Sequence, residues 1–279
     1  MPLHFERRFT MSKEAINLSG VNETMLVPLY ARALESKKKN PAFYDKTAIQ
    51  VIDALDYDFQ KHGKSKMNMW GCAARTLIFD AQATEYIKTH PNCSVINMAC
   101  GLDDRFSRVD NGFIEWYNID FENVMTIRKN IIPSHSRVHN ISGSVLDVAW
   151  IDQVKNKEDV LIIAEGFLMY LHAQDVQMLF NQVASAFSHT TLLLELMSNW
   201  MVKNQKSHDT IKKTSAVFSW GIDASSDFTK LCPAYKITGE FNLTDSMKQF
   251  SPIFITLIGP KLRPRNNRIA KFEKNVNGI

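Results

Sequence analysis

Residues Ser94 to Asp120 constrain this chain more than any other stretch. Ser94-Val-Ile-Asn-Met98 is a short, apolar, β-branched run with Pro91-Asn92 before it and Gly101 after it, which predicts a buried strand. It leads into Ala99-Cys-Gly-Leu-Asp-Asp-Arg105, where small residues permit a sharp turn and the close approach of a ligand to the main chain. A second predicted strand, Glu115-Trp-Tyr-Asn-Ile-Asp120, ends in an acid. An acid about 20 residues beyond a glycine turn, at the tip of the second strand, suits hydrogen bonding to a ribose diol. The turn is not G-x-G-x-x-G, so on its own it reads equally well as a structural turn. A further buried strand, Val160-Leu-Ile-Ile-Ala164, also ends in an acid and a glycine, Glu165-Gly166. Ligands of open α/β sheets lie beyond the carboxyl ends of the strands. Three strand ends carrying small residues or acids therefore point to one shared pocket.

Three motifs taken together carry a resemblance: Ala99-Cys-Gly-Leu-Asp-Asp-Arg105, Asn118-Ile-Asp-Phe121 and Ala164-Glu-Gly-Phe-Leu-Met-Tyr-Leu171. The chain resembles the leucine carboxyl methyltransferase family, which includes the tetracenomycin-type polyketide O-methyltransferases and the protein phosphatase methyltransferases. The resemblance runs from about Val21 to Lys271. It implies an α/β class I methyltransferase, Rossmann-like, with a mostly parallel seven-stranded sheet. It further implies an N-terminal helical cap at 1–92 and a cofactor domain at 93–279, with a substrate-shaping insertion near 197–233. The implied cofactor is S-adenosyl-L-methionine.

On this resemblance Arg32 and Arg75 bind the methionyl carboxylate, a task suited to the guanidinium fork. Without it, each arginine reads as a snorkelling or ion-paired side chain in an apolar helix. Ala99, Gly101, Asp120, Phe121 and Glu165 are the further expected cofactor contacts. Where the family usually has Asp-Leu against the adenine, this chain has Ser144-Val145. Asp147 is the alternative acceptor for the exocyclic amine, or else the N-cap of 148–154. Tyr170, His172, Trp200 and Trp220 are candidates for the acceptor pocket, with core or solvent positions as the plain alternatives.

The remaining chain supplies helices and strands in alternation. Apolar spacing predicts helices from Asn22, over 46–60 and over 69–89, all before the first strand. Further helices are expected at 121–131, 174–187, 223–231 and 245–257, and strands at 137–141, 190–196, 235–241 and 268–273. Alternation of this kind implies a parallel sheet with right-handed crossovers. The basic residues between Lys261 and Lys274, Arg268 among them, read as a solvated surface. Residues 1–20 carry no clear pattern.

Composition narrows the function classes. A net charge of +4 is too small to argue for nucleic acid. Four cysteines without C-x-x-C spacing or a His cluster argue against a metal site or disulfide scaffold and for a reducing cytoplasm. The first residues contain no apolar signal-peptide core. The apolar run at 160–171 is broken by Glu165 and too short to span a bilayer, so no membrane partner is expected. The leading expectation is methyl transfer to an oxygen, a carboxylate ahead of a phenol, of a small-molecule acceptor of secondary-metabolite type. The alternatives are a protein C-terminal leucine as acceptor, a dinucleotide-dependent oxidoreductase, or a non-catalytic cofactor binder. No residue is assigned a catalytic role, and the oligomeric state is left open.

Overall fold

The computed structural model describes residues 14–15, 21–63, 65–207 and 216–275. Seven strands form one sheet: β1 (Ser94–Met98), β2 (Glu115–Asp120), β3 (Val138–Ser142), β4 (Asp159–Ala164), β5 (His189–Leu196), β6 (Tyr235–Asn242) and β7 (Arg268–Lys274). Their order is β3-β2-β1-β4-β5-β7-β6. The first five are parallel, and β7 runs antiparallel to both its neighbours. The expected mostly parallel, seven-stranded Rossmann-like sheet is borne out. Chain direction across the sheet reverses between β1 and β4, and a ligand crevice forms at such a switch point.

Six longer helices accompany the sheet: α1 (Leu26–Ser36), α2 (Lys46–Ala54), α3 (Lys66–Thr89), α4 (Glu122–Ile131), α5 (Ala173–Ala186) and α6 (Pro252–Leu262). The central strands read as unbroken apolar runs because both faces are covered. On one face Ile96, Ile162 and Leu192 pack with Trp150, Phe180 and Phe187. On the other, Val95, Leu161, Ile163 and Leu193 pack with Ile78, Phe79, Ala83 and Ile87 of α3. The C-terminal half of α3 thus belongs to the sheet's own core. Its N-terminal half joins α1 through Met69 and Cys72, packed with Val27 and Ala31. One helix ties the N-terminal helical layer to the sheet.

Some elements differ from expectation. The predicted helix over 46–60 ends at Ala54, where Leu55–Asp56 pairs in parallel with Glu14–Ala15. The predicted helix over 245–257 is two, Leu243–Met247 and α6, divided before Pro252. Proline lacks the N–H that the first turn of a helix leaves unused, so Pro252 begins the second helix, which also tolerates Pro260 in its last turn. Arg268 is 6% exposed rather than solvated, and donates to the carbonyls of Ile222 and Asp223. Of the insertion near 197–233, residues 208–215 lie outside the described residues, as does nearly all of 1–20.

The sheet's centre and α6 should respond oppositely to truncation. Ile162, fully buried on β4, is expected to cost about 2–5 kcal/mol as Ile162→Ala. Ile253→Ala on α6, 80% exposed, should stay within about 0.5 kcal/mol. Urea unfolding of the two variants checks this contrast.

Candidate active site

The carboxyl ends of β1, β2, β4 and β5 open into a cavity of about 580 Å³. Its polar floor is built from the strand ends. After β1 the chain turns through Ala99 (φ +49°) and Gly101 (φ +53°), both left-handed. For alanine this is an uncommon conformation, and such strain collects at ligand sites. At Gly101 the helical layer leaves no room for more, since an added Cβ would sit 3.1 Å from Met25 Cβ.

The turn is clamped on both sides. Asp120 Oδ2 accepts from Gly101 N at 2.8 Å, and Oδ1 accepts from Phe121 N at 2.8 Å. Burial raises the Asp120 carboxyl above its usual range, and these two backbone N–H groups work against that rise. From the other side, Arg128 Nη1 donates to the carbonyls of Gly101 (3.1 Å) and Asp103 (2.7 Å). Arg128 is itself placed by an asparagine ladder across three strands. Its Nε donates to Asn140 Oδ1 (3.3 Å), Asn118 donates to Asn140 (3.0 Å), and Asn97 donates to Asn118 (3.4 Å). The three asparagines are direct neighbours in the strand register.

Behind the floor runs a lattice of arginines and carboxylates. Arg75 Nε lies 2.9 Å from Glu165, and its Nη1 donates to Glu195 at 2.8 Å. Glu195 also accepts from Gly166 N (2.7 Å) and Asn267 Nδ2 (2.8 Å). Arg105, fully buried, reaches Glu165 (2.6 Å), Asp80 (2.7 Å) and Asp103 (2.8 Å). Arg108 bridges Asp80 and Asp45, and Asp45 holds Arg32 Nε at 2.9 Å. Burial alone would raise the carboxyls of Glu165 and Asp103. The guanidiniums of Arg75 and Arg105 hold Glu165 below its ordinary value, and Arg105, Arg108 and Arg32 do the same for Asp103.

Most of the remaining lining is apolar. Met25, Val27, Pro28, Met169, Met197, Met201 and Phe218 line it, with Tyr170, Trp200, Met247 and Leu262. Tyr170 Oη donates to Thr24 Oγ1 at 3.4 Å, and burial raises its phenol. Cys72 and Cys100 also border the cavity. Burial raises both thiols, Cys100 to about 12, so neither supplies a thiolate near neutral pH. Among the described residues no cluster suited to a metal ion is present.

The cavity brings together Arg32, Arg75, Ala99, Gly101, Asp120, Phe121, Glu165, Tyr170 and Trp200. Ser144, Val145, Asp147, His172 and Trp220 do not line it. Val145 is buried in the core, and its carbonyl accepts from Trp150 Nε1. Asp147 caps the short helical turn Val148–Gln153, and Ser144 Oγ accepts from Leu146 N. His172 is exposed at the start of α5, and Trp220 packs in the sheet's core. Arg32 borders the cavity but is 2% exposed, with Nε on Asp45 and Nη2 on the Leu102 carbonyl. The sequence reading missed Glu195, Arg105, Arg128 and Asn97. Glu195 carried a related signal, an acid in the last two residues of an otherwise apolar strand.

A family model described as leucine carboxyl methyltransferase matches residues 25–184. The chain belongs to the leucine carboxyl methyltransferase family. It is thereby an S-adenosylmethionine-dependent methyltransferase, and the oxidoreductase alternative falls away. It is 29% identical over 234 residues to the tetracenomycin polyketide synthesis O-methyltransferase TcmP of Streptomyces glaucescens, covering 84% of this chain and 87% of that one. The S-adenosyl-L-methionine-dependent methyltransferase dpfgK of Gibberella zeae is 23% identical over 250 residues, covering 81% and 84%. In fold, it is similar to the magnesium protoporphyrin IX methyltransferase of Synechocystis PCC 6803 solved with bound SAH. The TM-score is 0.51 at 10% identity, over 76% of this chain and 88% of that one.

Glu165 and Asp103 sit below their unfolded values, so each stabilises the fold above its unfolded pKa and loses that contribution as pH falls through the folded one. Stability is therefore expected to decline as pH drops below about 4.5. Glu165→Gln should be less stable at pH 7 and show a shallower acid decline, measured by urea midpoints across pH.

Proposed function

We propose that the enzyme methylates an oxygen, foremost a carboxylate, of a small and largely apolar acceptor. The observation that carries this reading is the cavity's division into a charged floor and an apolar wall with no histidine among its described lining residues. The floor fits the cofactor. Four carboxylates (Asp103, Asp120, Glu165, Glu195) and two arginines (Arg32, Arg75) line the cavity; Arg105 and Arg108 offset Asp103 and Glu165 from behind, and Asp120 is held by backbone N–H groups. Asp120 keeps lone pairs beyond its two backbone bonds and accepts from the ribose hydroxyls. Arg75 rather than Arg32 takes the methionyl carboxylate, because both arginines are ion-paired but the Arg32 side chain is 2% exposed and that of Arg75 12%. Phe121, 53% exposed beside Asp120, offers its ring to the adenine.

S-adenosylmethionine supplies the methyl group on a positively charged sulfur. A carboxylate oxygen forms the new C–O bond as the C–S bond breaks, and the bonding pair returns to sulfur. No proton moves, so no general base is required. Opposite charges cancel along this reaction, and a water-poor, apolar wall favours it over bulk solvent. The protein's work is to hold the oxygen in line with the methyl and exclude water. Methionines can repack around an irregular acceptor, while Trp200, Phe218 and Tyr170 present flat faces. This supports a polycyclic or aromatic acid, in keeping with the tetracenomycin enzyme as a relative. Labelled methyl transfer to aromatic acids, to phenols and to peptides ending in leucine tests the assignment. Turnover of the peptides alone would overturn it.

Arg75 should act on the cofactor's carboxylate specifically. Arg75→Lys is expected to bind S-adenosylmethionine more weakly than the wild type, and Arg75→Ala more weakly still. Decarboxylated S-adenosylmethionine should distinguish the three proteins little by calorimetry. A structural Arg75 would weaken both ligands alike.

With a carboxylate acceptor the rate is expected to be nearly flat from about pH 6 to 8, because carboxylates ionise near pH 4. A phenol without a base would react about tenfold faster per pH unit over that window. His172→Ala should leave the profile unchanged, since His172 lies outside the cavity. A steep rise in both proteins would replace the carboxylate by a phenol.

A further inference from the structure

α6 has two faces with different tasks. Its inner face, Ile255, Ile258 and Leu262, packs against Met67, Trp70, Ala74, Met247 and Phe250. Leu262, Met247 and Met67 also line the cavity, so the inner side of α6 is part of the cavity wall. The outer face is apolar and uncovered. Ile253 is 80% exposed and Leu257 75%, one helical turn apart, while Phe254 at the edge of this face is 45% exposed with its ring 6.2 Å from that of Trp70. Large exposed apolar side chains in a contiguous stripe mark an interaction surface.

Basic residues predominate around this stripe, with Asp245 the exposed acid beside them. From Ser246 to Phe272 the sequence contains no Asp or Glu. Lys248 precedes the helix, and Lys261, Arg263 and Arg265 follow the stripe, all exposed. Arg263 pairs with Asp245, and Arg265 stacks over Trp200 at 4.9 Å. Lys38, at the end of α1, reaches the Phe250 ring from the cap. An apolar stripe with basic residues at both ends is the arrangement of a helix that lies in a lipid interface, with its lysines among anionic headgroups.

We propose that the outer face of α6 docks the enzyme onto an anionic lipid surface. A second copy of the chain fits less well for two reasons. A two-fold contact through α6 would bring the basic residues flanking one helix (Lys248, Lys261, Arg265) near those flanking its copy, which repel. Three large side chains also fall well short of the roughly 800 Å² per partner of a stable protein interface. Contact with a membrane surface departs from the expectation of no membrane partner, which rested on the absence of a spanning run. It remains compatible with that absence, because no helix among the described residues is long and apolar enough to cross a bilayer. The proposal extends the reading of an apolar acceptor, since a compound that suits the cavity wall also partitions into lipid beside α6. The docking itself does not depend on the acceptor's identity.

The test is flotation of the full chain with vesicles of phosphatidylglycerol and phosphatidylcholine in equal parts, against phosphatidylcholine alone. Binding is expected to the mixed vesicles and to weaken strongly between about 0.05 and 0.5 M salt. Ile253→Ser combined with Leu257→Ser should lower the bound fraction about tenfold or more while leaving S-adenosylmethionine binding intact. Lys248→Glu with Lys261→Glu should do the same. Equal flotation of wild type and variants, or none with the mixed vesicles, would overturn the proposal. So would a wild-type dimer, seen by light scattering, that the serine variant converts to a monomer. Calorimetry with S-adenosylmethionine on the same proteins reports the cofactor reading separately, so either can fail alone.

Discussion

Arg105 is the contact on which the rest of the site depends. It has no exposed surface, and its guanidinium meets Asp80 from α3, Asp103 from the glycine turn and Glu165 from the tip of β4. Three separate parts of the chain are thereby fixed to one planar group. Lysine has a single charged nitrogen and no such fork, so it would not serve all three carboxylates. Removing ions from water is costly, and a buried ion pair is weak evidence of stability by itself. The lattice has another consequence. Asp45, Asp80, Asp103 and Glu165 each answer to more than one arginine, so a shift in one element leaves a buried charge unpaired elsewhere. Geometry at the strand tips is held to a narrow range by that penalty.

The lattice also divides the cavity. Charges accumulate where β4, β5 and the glycine turn end, and the helical layer contributes mostly methionine and aromatic surface above them. α3 serves both sides, because Arg75 faces the carboxylates while Met67 and Asn68 face the roof. Gly166 shows how closely the parts fit. It is left-handed (φ +64°), and an added Cβ would meet Arg75 Nη1 at 3.2 Å. A cation and an apolar methyl acceptor need opposite surroundings, and a single cavity supplies both only if its charged groups are anchored on one side.

Much of this was legible in the sequence, and the reasons are specific. The strands β1, β2, β4 and β5 announce themselves as apolar runs closed by small or acidic residues, because sheets covered on both faces admit little else. Glu195 passed unnoticed although it lies one residue before the end of β5, close to where Asp120 ends β2. Arg105 and Arg128 were illegible for another cause. Their partners stand up to 60 positions away in the chain, as with Glu165, and nothing in a local window distinguishes a buried arginine from a surface one. For Trp220 and His172 residue type left a pocket and a plain core or solvent position both open, and the structure places Trp220 in the core and His172 in solvent. The double helix at 243–262 was misread because the apolar pattern continues through Phe250 and across Pro252, so periodicity alone hides the break.

The carboxylates around the cavity are not equivalent, and the difference bears on which of them a ligand can influence. Glu165 and Asp103 face guanidiniums and are held ionised below their ordinary range. Asp120 faces two backbone N–H groups, with Arg128 as its nearest counter-charge, and burial wins: its carboxyl is pushed up. Its ionised form is therefore short of hydrogen-bond donors in the ligand-free protein. A group that donates to a carboxylate stabilises the charged form and lowers its pKa. On the proposed reading, ribose hydroxyls are such donors, and they meet the one floor carboxylate that stands to gain most from them. The others already have their partners, and a ligand could gain little by competing with an arginine. The lattice thus fixes the frame, and Asp120 is left as the carboxylate whose hydrogen bonding a nucleoside completes.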